Sequence, residues 1–93
     1  MKTKHLELQF YTKPDCPLCD EAKLALQVIT SKLSFLVIDE IDISKNLGLF
    51  TKYKLLIPVL EMNGKQLFVH RVDSEKLLWQ LRWYRLRSFF SRN

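Results

Sequence analysis

The sequence predicts one three-layer α/β domain over residues 1–93, with elements in the order β-α-β-α-β-β-α. Three observations carry that expectation. A period-two stretch, a long helical stripe and a continuous apolar run follow one another, which makes a strand–helix–strand unit. Asn63-Gly64, flanked by apolar runs, marks a hairpin. A last segment of helical period closes the chain.

The elements follow in order. Leu6 to Tyr11 alternates Leu6, Leu8 and Phe10 with Glu7 and Gln9, the period of a strand. From Pro17 the period changes. Leu18, Ala22, Ala25, Leu26, Ile29 and Leu33 fall in a stripe of roughly 100° on a helix that runs to about Lys32. Pro17 suits the first helical turn, and Asp20 and Glu21 suit the positive end of the helix dipole. Phe35 to Ile43 begins as an unbroken apolar run, the pattern of a strand buried on both faces. Ser44 is the expected cap of a short helix through Leu47, Leu49, Phe50 and Tyr53, which Gly48 weakens by about 1 kcal/mol. Val59 to Met62 and Gln66 to His70 form the hairpin strands. Asp73 or Ser74 caps a final helix to about Phe90.

Composition narrows the class. Of 93 residues, 47% are hydrophobic, while glycine and proline number two and three, so a core is available and linker-rich disorder is excluded. Two cysteines are too few for a secreted scaffold held by disulfides. "MKTKHLELQFY" does not read as a signal peptide, and no apolar run reaches the ~18 residues of a membrane span. The expectation is a cytoplasmic domain whose thiols rest reduced. The net charge of +5 gathers late in the chain, at Arg71, Lys76, Arg82, Arg85, Arg87 and Arg92. No nucleic-acid motif accompanies it, so it reads as a mildly basic surface with no nucleic-acid partner.

The chemistry lies in "KPDCPLCDEAK". Cys16 ends the loop after the first strand and Cys19 falls in the first helical turn. A thiol at a helix N-terminus meets the dipole and free backbone N–H groups, which can lower its pKa from about 8.5 towards roughly 3.5–7.5. Lys13 adds a positive charge nearby, while Asp15 and, more weakly, Asp20 oppose it. The two-residue spacing brings the sulfurs within disulfide reach. Cys16 is the expected nucleophile and Cys19 the resolving thiol. A structural zinc site needs four ligands, and His5 and His70 do not supply the spacing, so no metal site is expected within one chain. Zinc or iron–sulfur sharing between two chains and a purely structural pair are the competing readings.

At these residues the chain resembles the glutaredoxins, and more closely the small glutaredoxin-like family that carries CPLC. The resemblance rests on "FYTKPDCPLCDEAK", Ile41 to Ile43, Lys52-Tyr53, Ile57 to Leu60, "NGK" and Leu77 to Leu81, and spans about Leu6 to Tyr84. It implies a thioredoxin-like fold in which Pro58 is cis and faces the cysteines. The backbone of Ile57 would then be offered to a peptide or to glutathione. Without the resemblance, Pro58 reads as a proline ahead of an edge strand. The resemblance also matches Lys13 to the lysine that meets glutathione's glycyl end and Asp73 to its acidic cap. The chain departs from the glutaredoxins in two places. Leu18 replaces the aromatic of CPYC, beside Pro17. Val69, His70 and Arg71 stand near the place of a GG-x-D stretch that holds the γ-glutamyl end.

The reading is therefore a monomeric thiol–disulfide oxidoreductase of glutaredoxin type, serving redox homeostasis. Its site residues are Cys16 and Cys19, with Lys13, Pro17, Leu18, Ile57, Pro58 and Asp73 tuning the thiolate or shaping the substrate groove. It needs no dissociable cofactor, glutathione is a candidate reductant, and protein or small-molecule disulfides are the partners. The alternative is a non-catalytic binding module. It would act through the groove or the last helix, where Leu77, Leu78, Leu81 and Tyr84 form one apolar face and Trp79, Trp83, Leu86 and Phe90 another. The second face would suit a protein partner, a dimer or a membrane surface. His70 reads as a surface residue and Tyr11 as packing.

Overall fold

A computed structural model describes the backbone of residues 5–91 and the side chains of residues 5–85. Alternation makes Leu6–Thr12 the first strand, β1, and the helical stripe makes Pro17–Lys32 the first helix, α1. Leu36–Asp42 is β2, Leu47–Tyr53 is α2, Val59–Met62 is β3, Lys65–Val69 is β4 and Ser74–Ser91 is α3. The order β-α-β-α-β-β-α is as expected. The sheet runs β2-β1-β3-β4. β1 pairs in parallel with β2, from Leu6 opposite Leu36 to Thr12 opposite Asp42, and antiparallel with β3, where Tyr11 meets Val59.

Each face of the sheet carries its own apolar cluster. Leu8, Phe10 and Leu60 look towards α1 and α3, which bring Leu26, Ile29, Leu77 and Leu81 to the larger core. Tyr11 and Val59 look the other way, towards Ile43 and Tyr53. These are the three layers. The N-terminal turn of α1 reaches the end of the sheet, so Cys19 belongs to the smaller cluster rather than to the core beneath its own helix.

Several expectations are corrected. β2 is an edge strand, and Val37, Asp39 and Glu40 are exposed, so it is not buried on both faces. Its apolar start serves the larger core, under α1 and α3, through Phe35 and Leu36. Conversely, Pro58 precedes a central strand, not an edge one. Ser44 caps nothing. The Asp42 carboxylate accepts the Ser44 N–H at 2.9 Å and its hydroxyl at 2.6 Å, opening a 3₁₀ turn at Ile43–Lys45. Those bonds hold the Asp42 carboxyl below its usual range. Asn46 then caps α2, its Oδ1 accepting the Leu49 N–H at 3.0 Å.

At the hairpin, Asn63 and Gly64 take φ of 53° and 81°, the left-handed pair that suits a tight strand reversal. β4 starts at Lys65 and ends at Val69, one residue earlier at each end than the pattern implies. Pairing passes from Glu61–Gln66 to Leu60–Phe68, so a bulge at Leu67 shifts the register. Leu18 leaves the buried stripe of α1 and is exposed, as is Tyr84 on α3. The side chains of Leu86 and Phe90 lie outside the described residues.

Candidate functional site

Cys16 occupies the N-cap of α1 in extended conformation, with φ −128° and ψ 99°. Its sulfur accepts the Cys19 backbone N–H at 3.2 Å, as a serine or aspartate oxygen would at this position. Its carbonyl accepts the Asp20 N–H at 3.0 Å, the first bond of the helix. Pro17 at the first helical position has no N–H to satisfy. A negative sulfur here therefore meets one directed donor and the positive end of a sixteen-residue helix.

The two cysteines are joined as a disulfide, with Cα atoms 5.2 Å apart, so the structure shows the oxidised pair. Cys16 is half-buried at the rim, whereas Cys19 is 2% exposed and packs with Ile57 and Val59. Cys16 is thus the outer sulfur of the pair and Cys19 the inner one. Asp15, just before Cys16, sits at φ 59°, a left-handed turn that aspartate tolerates better than most residues.

The remaining site residues divide. Ile57 and Pro58 come to the cysteines. The Ile57–Pro58 bond is cis, Pro58 is buried, and the Ile57 N–H donates to the Tyr53 carbonyl at 3.1 Å. The pairing of Tyr11 with Val59 puts this segment at the end of β1, where the loop to Cys16 begins. Pro17 and Leu18 are exposed beside the pair. Lys13 lies in the same loop, but its ammonium rests on the Pro14 carbonyl at 3.5 Å. Asp73 caps α3 by accepting the Lys76 N–H at 3.1 Å, a local structural duty. Among the described residues no cluster of three or more His, Cys, Asp or Glu is placed to hold a metal ion.

Two features are not apparent from sequence patterning. The first is His70. At φ 73° its N–H donates to the carbonyls of Pro58 at 2.8 Å and Leu56 at 3.1 Å. Its ring Nε2 stands 2.9 Å from the Leu55 carbonyl, an acceptor, so Nε2 carries the proton. One exposed residue thus fastens the 55–58 segment at three points. Asparagine also tolerates the left-handed conformation but is too short to reach Leu55. His70→Asn is expected to raise amide exchange at Leu56 and Ile57 by about three- to tenfold, the effect of losing one hydrogen bond of ~1 kcal/mol. Hydrogen exchange followed by mass spectrometry checks this.

The second is a buried polar pair. The Tyr53 hydroxyl donates to Glu61 Oε2 at 2.7 Å, and Tyr11 stacks on the Tyr53 ring with centroids 4.2 Å apart. Glu61 is 7% exposed and Tyr53 2%. Burial, and next the bond to Glu61, push the Tyr53 phenol well above its ordinary pKa, so it stays a donor. The only trace in the sequence is a charged residue at an alternate position inside "VLEM".

A mixed sheet with helices on both faces, a CxxC at the start of α1 and a cis-proline segment beside it define a thioredoxin-fold domain with a CxxC pair. The family model described as "Glutaredoxin-like domain (DUF836)" matches residues 7–82. The chain belongs to this glutaredoxin-like family. It is 35% identical over 83 residues to the "Glutaredoxin-like protein YDR286C homolog" of Dictyostelium discoideum, covering 84% of this chain and 77% of that one. Among solved structures it is similar to protein XcR50 from X. campestris, with 29% identity, TM-score 0.67, and 81% and 95% of the two chains covered. Thioredoxin-2 of the malaria parasite shares the fold at 17% identity, TM-score 0.66, with 88% and 85% covered.

Proposed function

We propose that this chain is a dithiol–disulfide oxidoreductase working through Cys16 and Cys19. The observation that carries the reading is the Cys16 sulfur at the N-cap of α1, accepting the Cys19 N–H. In the reduced protein the Cys16 thiolate attacks one sulfur of a substrate disulfide. A Cys16–substrate bond forms, the substrate S–S bond breaks, and one substrate thiolate leaves. Cys19, deprotonated, then attacks the Cys16 sulfur and expels the second substrate thiolate. The Cys16–Cys19 disulfide results, the substrate has gained two electrons, and solvent protonates its thiolates. An external thiol reductant must restore the dithiol; glutathione is the candidate, and the cytoplasm is a compartment that supplies it.

Polypeptide disulfides are the favoured substrates. Leu18 is exposed beside the pair, and Leu47 and Leu55 are 81% and 80% exposed. Leu47 follows the end of β2 and Leu55 precedes the cis-proline segment, so both stand at the end of the sheet that holds the cysteines. An apolar rim of this kind suits extended chain better than the charged termini of glutathione.

A redox titration of the pair in dithiothreitol buffers, read by alkylation and mass, tests the function. A reversible two-electron couple within about −150 to −300 mV is expected. Thiols that do not pair, or a bond too stable for cellular reductants, would leave the pair structural.

A further inference from the structure

We propose that the outward surface of the α1/α3 layer docks on anionic lipid bilayers. α1 and α3 cover the same face of the sheet and share one core, so their solvent sides look in the same direction. Both sides carry large apolar residues one helical turn apart. On α1 these are Leu24 and Val28, 64% and 49% exposed; on α3 they are Trp79 and Trp83, 64% and 55% exposed. The two indoles stack at 6.4 Å between centroids and 21° between planes. Folding does not call for them, because Leu77 and Leu81 on the opposite side of α3 already fill the core at 0% exposure. Large apolar side chains left exposed on both helices of one layer mark an interaction site.

Charge selects the occupant. Lys76 and Arg82 flank the indoles and are exposed. After Glu75 the helix sequence holds no acidic residue, and the whole chain carries +5. The Arg85 guanidinium lies over the Phe35 ring at 4.4 Å, which sets the cationic half of α3 beside the C-terminal end of α1. Lys32 ends α1 there, whereas Asp20 stands in its first turn and Glu21 follows it, at the end that carries the cysteines. The layer is therefore basic at the end far from Cys16–Cys19. A second copy would set like charges face to face. An anionic bilayer complements the charge, and its headgroup level is where indole, apolar with one N–H, is best accommodated. No helix among the described residues is long and apolar enough to cross a membrane, so the contact is peripheral.

The test uses the full chain, whose only two tryptophans are Trp79 and Trp83, so intrinsic emission reports on this face alone. Phosphatidylcholine vesicles with about a third phosphatidylserine are expected to shift the emission to the blue and to co-sediment the protein. Raising the salt to about 0.5 M should release it. Arg82→Glu is expected to weaken binding about tenfold or more, because two units of charge change near the surface. Trp79→Ala/Trp83→Ala should weaken it at least as much by co-sedimentation, with an unchanged far-ultraviolet spectrum and unchanged Cys16–Cys19 redox titration. No co-sedimentation, equal binding to pure phosphatidylcholine, or full binding by either variant would overturn the proposal. An emission shift with soluble polyglutamate but not with vesicles would also overturn it, in favour of an acidic protein partner. None of these readouts depends on the redox reading.

Discussion

Cys16→Ser is expected to lower disulfide exchange by about three orders of magnitude or more, since the remaining sulfur, Cys19, is buried away from an incoming disulfide. Cys19→Ser has a different expected outcome. Cys16 keeps its place at the start of α1, so the first step proceeds and the mixed disulfide accumulates. This second variant retains the backbone N–H that the Cys16 sulfur accepts, because that donor is main chain. Mass spectrometry of the variant after incubation with a disulfide-bonded polypeptide reads the adduct directly. The inner position of Cys19 makes the asymmetry strong, because the buried sulfur reaches an incoming disulfide poorly but reaches Cys16 easily. Equal trapping by Cys16→Ser and Cys19→Ser would contradict the assigned roles.

Tyr53→Phe carries the largest expected effect on stability. It removes the hydroxyl that donates to Glu61 and leaves a carboxylate inside the smaller cluster without that donor. The cost is about 1–3 kcal/mol or somewhat more, because the orphaned group is acidic. For a domain of this size that lowers the midpoint of thermal unfolding by roughly 4–8 °C for each kcal/mol. Adding Glu61→Met should recover much of the loss, since removing both polar partners leaves nothing unsatisfied. A double-mutant cycle by denaturant unfolding measures the coupling.

The same pair produces a pH signature. Below the ordinary tyrosine pKa of 10.0 the phenol is protonated in both folded and unfolded chains and stability is unaffected. Above it, the unfolded phenol ionises while the buried one keeps its proton. The unfolded chain then binds fewer protons, so stability falls as the pH rises through and beyond 10.0. Part of the alkaline loss seen in the wild type should be missing in Tyr53→Phe. Equal alkaline limbs in the two proteins would mean that the phenol is not held protonated.

How much of this is legible in the sequence follows from where each signal resides. α1 is legible to its ends because Pro17, the acidic first turn and the 3.6-residue stripe are all local. The hairpin is legible from Asn63-Gly64 for the same reason, but the bulge at Leu67 is not. That single extra residue places His70 against Pro58, so its role in fastening the segment cannot be counted out along the strands. The apolar run of β2 overstates its burial because such runs look alike in edge and central strands. Glu61 carries no warning of its role, since only a neighbour eight residues away makes a buried carboxylate acceptable.

Element order, the CxxC at a helix start and the apolar double face of α3 are written into single segments. Each of these depends on backbone propensity, capping and period over a short stretch of chain. Which cysteine is inner, which residues fasten the cis-proline segment and which helix surfaces remain open together are settled only when the segments assemble. Those outcomes depend on contacts between residues far apart in the chain. Cys19 is buried because Ile57 and Val59, some forty residues further along the chain, pack against it. Trp79 and Trp83 remain exposed because Leu77 and Leu81 have already taken the core.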